Sequence, residues 1–293
     1  MKIPLKITGL IFFLFAGLFA CRSPQTEKPT VSVSILPQKY FVERIAKDYV
    51  EVNVMIPPGM NPATCDLNTG QLKRLYDSDI CFAVGYLPFE TTHLYPVLKN
   101  KPDILLVRHS DGLKLLEGSC GHQHTHGEEE SVDPHIWLSP LYAQRISQQI
   151  LQTLSEKYPA KRDFFAANYT ELEKEIKQVA EEAEKVLSGK RYKSFLIYHP
   201  ALTYFAHDYQ MEQIAIEDEG KEPHPAHLKK IIDEAQSKAV SIIFIQKQFD
   251  INNAEAIARA TQCKIIPIDP LNENWTEEMH ALLRAFRENL PDK

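Results

Sequence analysis

The stretch that decides the fold is AKRDFFAANYTELEKEIKQVAEEAEKVL, residues 160–187. Its apolar residues recur at helical spacing among many glutamates and lysines, a pattern that predicts one long amphipathic helix. At 1.5 Å per residue such a helix is about 40 Å long, enough to run the length of a two-domain protein. A helix inside a single domain would carry the same apolar stripe. Because this helix lies between two separate β/α patterns, we predict that residues 159–188 form a rigid helix linking two lobes.

The segments on both sides of this helix alternate between strands and helices. Residues 31–107 are predicted to form four strands, with a helix between each strand and the next, the third helix covering 89–98. A further helix over 141–157 is ended by Tyr158-Pro159. Residues 194–289 repeat the alternation with four strands and four helices. This order is typical of a mostly parallel sheet with helices on both faces. We therefore predict an α/β protein with an N-terminal lobe over 31–158 and a C-terminal lobe over 189–293.

The amino terminus has the features of a targeting signal. Two lysines precede an apolar stretch over 7–20 that is too short to span a bilayer. The stretch ends in Leu18-Phe19-Ala20-Cys21, which resembles the lipobox of bacterial lipoproteins. We predict a signal peptide over 1–20, lipidation of Cys21 and a flexible tether over 21–30. The protein would then be extracytoplasmic or periplasmic, and lipid-anchored to a bacterial membrane. An ordinary secretory signal followed by a chance cysteine is the alternative.

Charge and cysteine content limit the possible partners. The 293-residue chain has a net charge of −6 with both signs well mixed, which argues against nucleic acid or an anionic membrane surface as a ligand. Four cysteines follow Cys21, and their spacing matches no zinc-ribbon or disulfide framework. Pairing among them stays open, although Cys81 and Cys263 lie beside strand-like runs and are most simply interpreted as buried. The four are Cys65, Cys81, Cys120 and Cys263.

The segment CGHQHTHGEEESVDPHIWLSP, residues 120–140, has two parts of different character. In the first part, over 120–132, three histidines at alternate positions are followed by three glutamates. That composition predicts a mobile loop rich in metal-binding groups, with His122, His124 and His126 as accessory ligands. The second part returns to large apolar residues around His135. We expect this histidine to lie in an ordered site.

Two further candidate ligands directly follow predicted strands of the second lobe. His199 follows the strand over 194–198, and Asp269 follows the strand over 264–268. Ligand sites in open α/β sheets lie beyond the carboxyl ends of the strands. Together with His135, two imidazoles and one carboxylate would form a divalent-metal site suited to zinc. Each residue taken singly could instead cap a helix or satisfy a loop.

Several motifs occur in an order that resembles one known family. They are Pro57-Pro58-Gly59, DPHIWLSP at 133–140, Tyr198-His199 before a helix containing Tyr204-Phe205, and Ile268-Asp269-Pro270. With the lipobox, the His-rich loop and the long helix, this set resembles the zinc/manganese solute-binding proteins of ABC importers. The resemblance covers essentially the whole mature chain. It implies one metal ion held between two lobes, transfer of that ion to membrane permease subunits, a monomer, and no enzymatic activity.

The resemblance also assigns ligands. His135, His199 and Asp269 match three family ligands, and histidine rather than glutamate at position 199 favours Zn²⁺ over Mn²⁺. The family's fourth ligand is usually a histidine after the Pro-Pro-Gly turn, where this chain has Ala63. Because alanine cannot coordinate a metal, the fourth position would be filled by water, by Cys65 or Asp66, or by a histidine of the loop.

Three other functions compete with metal transport. A three-ligand site with an open position is also typical of a catalytic zinc, so an exported zinc hydrolase is possible, with Glu217 or Glu219 as its base. The chain contains no HExxH motif that would support that function. A metal-buffering surface adhesin would use mainly the His/Glu loop. Binding of a siderophore or haem is the third alternative. We further expect Tyr86 and Glu90 to line the cleft and His224 and His227 to form a solvated helix end.

Overall fold

The computed structural model describes residues 28–118, 132–218 and 220–293. The predicted signal peptide, Cys21 and the loop histidines 122, 124 and 126 therefore lie outside the described residues. In the part of the chain that the structure describes, no helix combines the length and the apolar character needed to cross a membrane.

The N-terminal lobe is built on a four-stranded parallel sheet with the order β2-β1-β3-β4. Its strands are β1 (Thr30–Val33), β2 (Glu51–Val54), β3 (Ile80–Ala83) and β4 (Leu105–Arg108). The helices between them are α1 (Leu36–Ala46), α2 (Thr69–Tyr76) and α3 (Tyr95–Leu98), and α4 (Pro140–Lys157) follows the sheet. Pro140 occupies the first turn of α4, where its missing N–H costs nothing.

The C-terminal lobe repeats this topology, with the strand order β6-β5-β7-β8 and parallel pairing throughout. Its strands are β5 (Ser194–Ile197), β6 (Glu212–Ala215), β7 (Ile242–Gln246) and β8 (Lys264–Ile268). The helices are α6 (Thr203–Asp208), α7 (Pro225–Ser237), α8 (Ile251–Thr261) and α9 (Trp275–Asn289). The predicted α/β class, with two lobes and parallel sheets, is confirmed.

The linking helix is α5 (Arg162–Ser188), preceded by a short 3₁₀ turn over Pro159–Lys161. It packs against α1 and α4 of the first lobe and against α9 of the second. Its buried residues are Phe165, Leu172, Ile176, Val179, Ala183, Val186 and Leu187, which include the whole stripe predicted from sequence. One continuous apolar core contains these residues together with strands of both lobes. The two lobes therefore share a core as well as a helix.

One predicted element has a different form. The single helix expected over 89–98 is a π-helical turn over Glu90–Leu94 followed by the short α3. The reason is that the Glu90 carboxylate is fully buried and accepts hydrogen bonds from the backbone N–H groups of Val84 and Gly85, at 2.6 and 2.7 Å. Apolar spacing does not reveal a side chain that binds the preceding loop in this way.

Candidate metal centre

His135 lies at the base of the His-rich segment and is held by a buried carboxylate. Its exposed fraction is 9 %, and Asp133 is fully buried. The Asp133 Oδ1 atom accepts hydrogen bonds from the backbone N–H of His135 at 2.7 Å and from its Nδ1 at 2.8 Å. Burial by itself raises the pKa of the Asp133 carboxyl, but the neighbouring His135 outweighs burial and brings the pKa below its usual value. Because Nδ1 donates to this carboxylate, the lone pair of neutral His135 is on Nε2, the atom left for a metal.

His199 has the same arrangement in the other lobe. Its Nδ1 lies 3.0 Å from both carboxylate oxygens of Glu217, whose side chain is only 4 % exposed. The backbone of His199 is fixed by Gln246 at the end of β7, which accepts from its N–H at 3.2 Å and donates to its carbonyl at 2.7 Å. Its ring stacks on Phe249. His199 therefore also keeps Nε2 free in a fixed orientation.

The structure brings these two imidazoles into contact across the lobes. Their ring centroids are 5.2 Å apart, with the ring planes at 71°. Two imidazoles bound through nitrogen to one tetrahedral zinc, at Zn–N distances of about 2.0–2.1 Å, have ring centres about 5 Å apart. We call His135 and His199 the imidazole pair. The spacing of the pair is compatible with one zinc ion shared by the two rings.

Asp269 follows β8 as predicted, but its carboxylate is occupied elsewhere. Its Oδ1 accepts from the backbone N–H of Leu271 at 3.1 Å, and its Oδ2 lies 3.8 Å from Lys247 Nζ. Among residues 28–118, 132–218 and 220–293, no three His, Cys, Asp or Glu side chains are arranged to hold a metal ion together. The Asp269 carboxylate is therefore not within coordinating reach of the imidazole pair as it stands, and its role as a ligand stays a prediction.

The two candidates beside Ala63 differ in their surroundings. Cys65 is 3 % exposed and belongs to the main core, and burial raises the pKa of its thiol, which disfavours the thiolate that zinc needs. Asp66 is exposed, and its carboxylate lies 3.2 Å from Nε2 of His93. The structure does not bring either residue to the imidazole pair as a metal-binding group. As buried residues, Cys81 and Cys263 match the prediction.

Sequence reasoning missed the residues that orient the imidazole pair. Asp133 stands two positions before His135, and Glu217 lies two residues beyond the end of β6, the neighbour of β5. Its position beyond a strand end was therefore a usable signal for Glu217. Glu217, considered above as a hydrolytic base, binds His199 instead. Glu90 is buried in its own lobe and does not line the cleft. His224 caps α7 by accepting from the His227 N–H at 3.3 Å, in agreement with the predicted helix end.

The described residues on each side of the His-rich loop are tied to the second lobe. The Asp133 N–H donates to the Leu116 carbonyl at 2.9 Å, closing the base of the loop. The Tyr204 hydroxyl, on α6, accepts from the Leu116 N–H at 3.2 Å and donates to the Asp133 carbonyl at 2.8 Å. Both ends of the loop therefore begin beside the carboxylate that holds His135.

The fold and the imidazole pair define a two-lobed α/β protein in which two oriented imidazoles meet between the lobes. Residues 31–291 match the family model described as "Zinc-uptake complex component A periplasmic", and the chain belongs to this family of solute-binding proteins. The crystal structure of ZnuA superposes with a TM-score of 0.81 at 31 % identity, covering 90 % of this chain and 99 % of that one.

Two other relatives extend the comparison. The zinc-binding lipoprotein AdcA of Streptococcus pneumoniae is 26 % identical over 285 residues, which cover 93 % of this chain but 56 % of that protein. This chain thus spans about half the length of the curated relatives it matches first. A mutant structure of the laminin-binding adhesin Lmb from Streptococcus agalactiae has a TM-score of 0.77 at 25 % identity, covering 89 % of this chain and 99 % of that one.

Proposed function

We propose that this protein captures a divalent transition metal, foremost Zn²⁺, outside the cytoplasm and delivers it to the permease subunits of an ABC importer. The observation that carries the proposal is the imidazole pair, in which two rings 5.2 Å apart each donate Nδ1–H to a buried carboxylate. Carboxylate–histidine pairs of this kind fix the ring orientation and raise the basicity of the ligating nitrogen. Membership of the zinc-uptake family supports the same function.

Capture would proceed by chelation. Neutral His135 and His199 offer Nε2, and the Asp269 side chain rotates away from Lys247 to add a carboxylate oxygen. Imidazole favours zinc over manganese, which supports Zn²⁺ as the cargo. With Ala63 unable to coordinate, the fourth position is left to water, to a histidine of the 120–132 loop, or to Asp66, which is exposed and therefore a better candidate than the buried Cys65. A lipid anchor at Cys21 would keep the protein beside its permease, and we propose that it acts as a monomer.

The alternatives receive less support. A hydrolase needs a base beside the open metal position, yet the Glu217 carboxylate is bound to Nδ1 of His199 on the far side of the ring from Nε2. We therefore propose that the protein has no enzymatic activity. A laminin-binding adhesin, Lmb, is among the relatives, but metal buffering by the loop would not require two buried carboxylates behind two imidazoles. Siderophore or haem binding has no supporting feature among the described residues.

Isothermal titration with Zn²⁺, on the chain without residues 1–20 and with Cys21 replaced, tests the proposal. We expect one tight site per chain, and substitution of either His135→Ala or His199→Ala should weaken it by at least about a hundredfold. His280→Ala is the matched control, because His280 also has its Nδ1 on a carboxylate, that of Glu182 at 2.7 Å, but faces no second imidazole among the described residues.

Deletion of residues 121–131 separates transport from buffering. Under the proposed function the tight site survives the deletion, since the imidazole pair is intact, and only weaker binding disappears. Loss of the tight site on deletion, with both imidazole-pair variants unaffected, would instead assign metal binding to the loop. Absence of any tight site in the intact folded chain would refute the proposal.

A further inference from the structure

Beside His135, the two lobes are joined by hydrogen bonds from two indole N–H groups. Trp137 belongs to the 3₁₀ turn Ile136–Leu138 of the first lobe, and Trp275 is the first residue of α9 in the second. The Trp137 Nε1–H donates to the Pro270 carbonyl and the Trp275 Nε1–H donates to the Trp137 carbonyl, both at 2.7 Å. Each residue is 1 % exposed. We call these two residues the tryptophan pair.

Trp137 links the chain segments that carry two predicted metal ligands, His135 and Asp269. The Trp137 ring contacts the His135 ring, with centroids 5.3 Å apart, and its indole N–H ends on Pro270, the residue after Asp269. The segment from Pro270 to Trp275 is therefore attached to Trp137 at both of its ends. This attachment connects the backbone that carries His135 to the backbone that carries Asp269 without passing through the linking helix.

Burial makes this connection difficult to open. An indole N–H or a carbonyl that loses its partner inside an apolar core suffers the full cost of desolvation. Trp275 also packs on Phe41 of α1, with ring centroids 5.4 Å apart, so its ring contacts the first lobe as well. Any tilt of one lobe away from the other at this point would break both indole hydrogen bonds and expose two large rings.

We infer that Trp137 and Trp275 are positioning residues that fix the separation of His135 and Asp269, so that metal capture requires rotation of the Asp269 side chain and no closure of the lobes. The inference rests on the proposed function. It adds that one part of the site already has its final geometry before the metal binds. The imidazole pair and the Asp269 backbone form one rigid frame, and the Asp269 carboxylate, now beside Lys247, is the part that moves.

Hydrogen exchange of the indole N–H groups tests the frame in the unmodified protein. The chain contains only two tryptophans, so ¹⁵N-labelled tryptophan gives two signals that report on the two hydrogen bonds. We expect both indole N–H groups to resist exchange in the metal-free protein and in the Zn²⁺-loaded protein, with rates that agree within about tenfold. Free exchange of either group in the metal-free protein would overturn the inference, because the contact would then form only when metal binds.

Trp275→Phe tests the consequence for the metal. The variant keeps a buried ring but removes one hydrogen bond, and we expect an altered Co²⁺ absorption spectrum and release of Zn²⁺ about tenfold faster than from the wild type. The control is Phe286→Leu on the same helix, a fully buried ring that contacts other aromatic rings of the core. It should lower Tm by a similar amount and leave both metal readouts unchanged.

The outcomes separate the inference from the proposed function. A wild-type protein that takes up neither Co²⁺ nor Zn²⁺ contradicts the proposed function. A wild type that binds metal, with a Trp275→Phe variant that has the same Co²⁺ spectrum and the same release rate, contradicts the inference alone. Equal changes in Trp275→Phe and Phe286→Leu also contradict it, because general destabilisation would then explain them. If Trp275→Phe does not fold, the exchange measurement still decides.

Discussion

The two lobes have the same strand order, yet the carboxyl edges of their sheets are used differently. At the C-terminal edge, His199 follows β5, Glu217 follows β6 and Asp269 follows β8. His199 and Asp269 keep part of their surface exposed, with side-chain exposures of 22 % and 36 %. This edge is open toward the other lobe, and it carries two of the three predicted ligands.

The N-terminal edge is closed by its own chain. Ser34 follows β1 and His109 follows β4, and both are fully buried, as is Glu90 after β3. The Glu90 carboxylate accepts from the Ser34 hydroxyl at 2.5 Å, and burial raises its pKa although several backbone N–H groups oppose that rise. At Gly85, which has a φ of 132°, an added Cβ would lie 1.9 Å from the Ser110 hydroxyl. A residue larger than glycine would therefore clash at position 85, within this closed edge.

His109 and Asp269 illustrate the difference most directly, since each follows the fourth strand of its sheet. His109 stacks on Phe82 and its Nδ1 donates to Gln149 Oε1 at 3.1 Å, and no carboxylate of residues 28–118, 132–218 or 220–293 binds it. It is a core histidine. Position after a strand therefore does not by itself make a ligand: a partly open edge is needed, and a buried carboxylate behind the imidazole fixes its orientation. The predicted ligand of the first lobe, His135, lies instead in the segment after the loop.

The largest expected effect concerns the closed edge and follows from His109. Burial lowers the pKa of His109 from its ordinary value of 6.5 to about 4. Between pH 6.5 and 4, His109 is protonated in the unfolded chain but neutral in the folded chain. The free energy of unfolding therefore falls as the pH drops from 6.5 to 4. The loss from this residue is roughly 3 kcal/mol. Urea unfolding at several pH values measures it.

The variant His109→Phe isolates this contribution, because it keeps a ring on Phe82 and removes the titrating group. Its free energy of unfolding should be less dependent on pH between 6.5 and 4 than that of the wild type. Zinc affinity at neutral pH should not change. Identical pH dependence in the two proteins would mean that folding does not lower the pKa of His109.

An intermediate effect is expected from exchanging one carboxylate at each edge. Glu217→Gln leaves His199 without its ionised partner and should weaken zinc binding by about 10–100-fold, with little change in stability. Glu90→Gln should lower the free energy of unfolding by about 1–3 kcal/mol and leave zinc affinity unchanged. Competition with a zinc chelator and urea unfolding measure the two quantities. If Glu217→Gln and Glu90→Gln changed zinc affinity equally, the two sheet edges would not differ in their role in metal binding.

The smallest effect is expected at Lys247. Its side chain is 75 % exposed and lies 3.8 Å from Asp269, and exposed pairs of this kind are weak. Lys247→Met frees the Asp269 carboxylate and removes a positive charge beside the site, so zinc affinity should rise by less than about fivefold, and less at high salt. Lys238→Met is the control, because Lys238 pairs with Glu212 and Glu234 instead. A fall in affinity would show that Lys247 supports the site.

Much of the fold was predictable because its elements are periodic. The strand β8 has the predicted bounds 264–268, and α5 begins two residues after the start of the stretch 160–187 and ends one residue beyond it. The spacing of apolar residues and the position of Pro159 specify these bounds, because both are properties of neighbouring residues. The turn at Glu90–Leu94 was not predictable, since its form depends on hydrogen bonds between the Glu90 side chain and the loop after β3.

The sequence by itself determined the two parallel lobes, the linking helix and the positions of His135, His199 and Asp269 at chain segments that follow strands. Only the tertiary structure decided that Asp133 and Glu217 orient the two imidazoles, that Asp269 is turned to Lys247, and that two indoles join the lobes below the site. The physical reason is the separation of the interacting residues along the chain. Periodicity depends on neighbouring residues, whereas the hydrogen bond between Trp275 and Trp137 joins residues 138 positions apart. No local sequence pattern specifies a contact between residues so far apart in the chain.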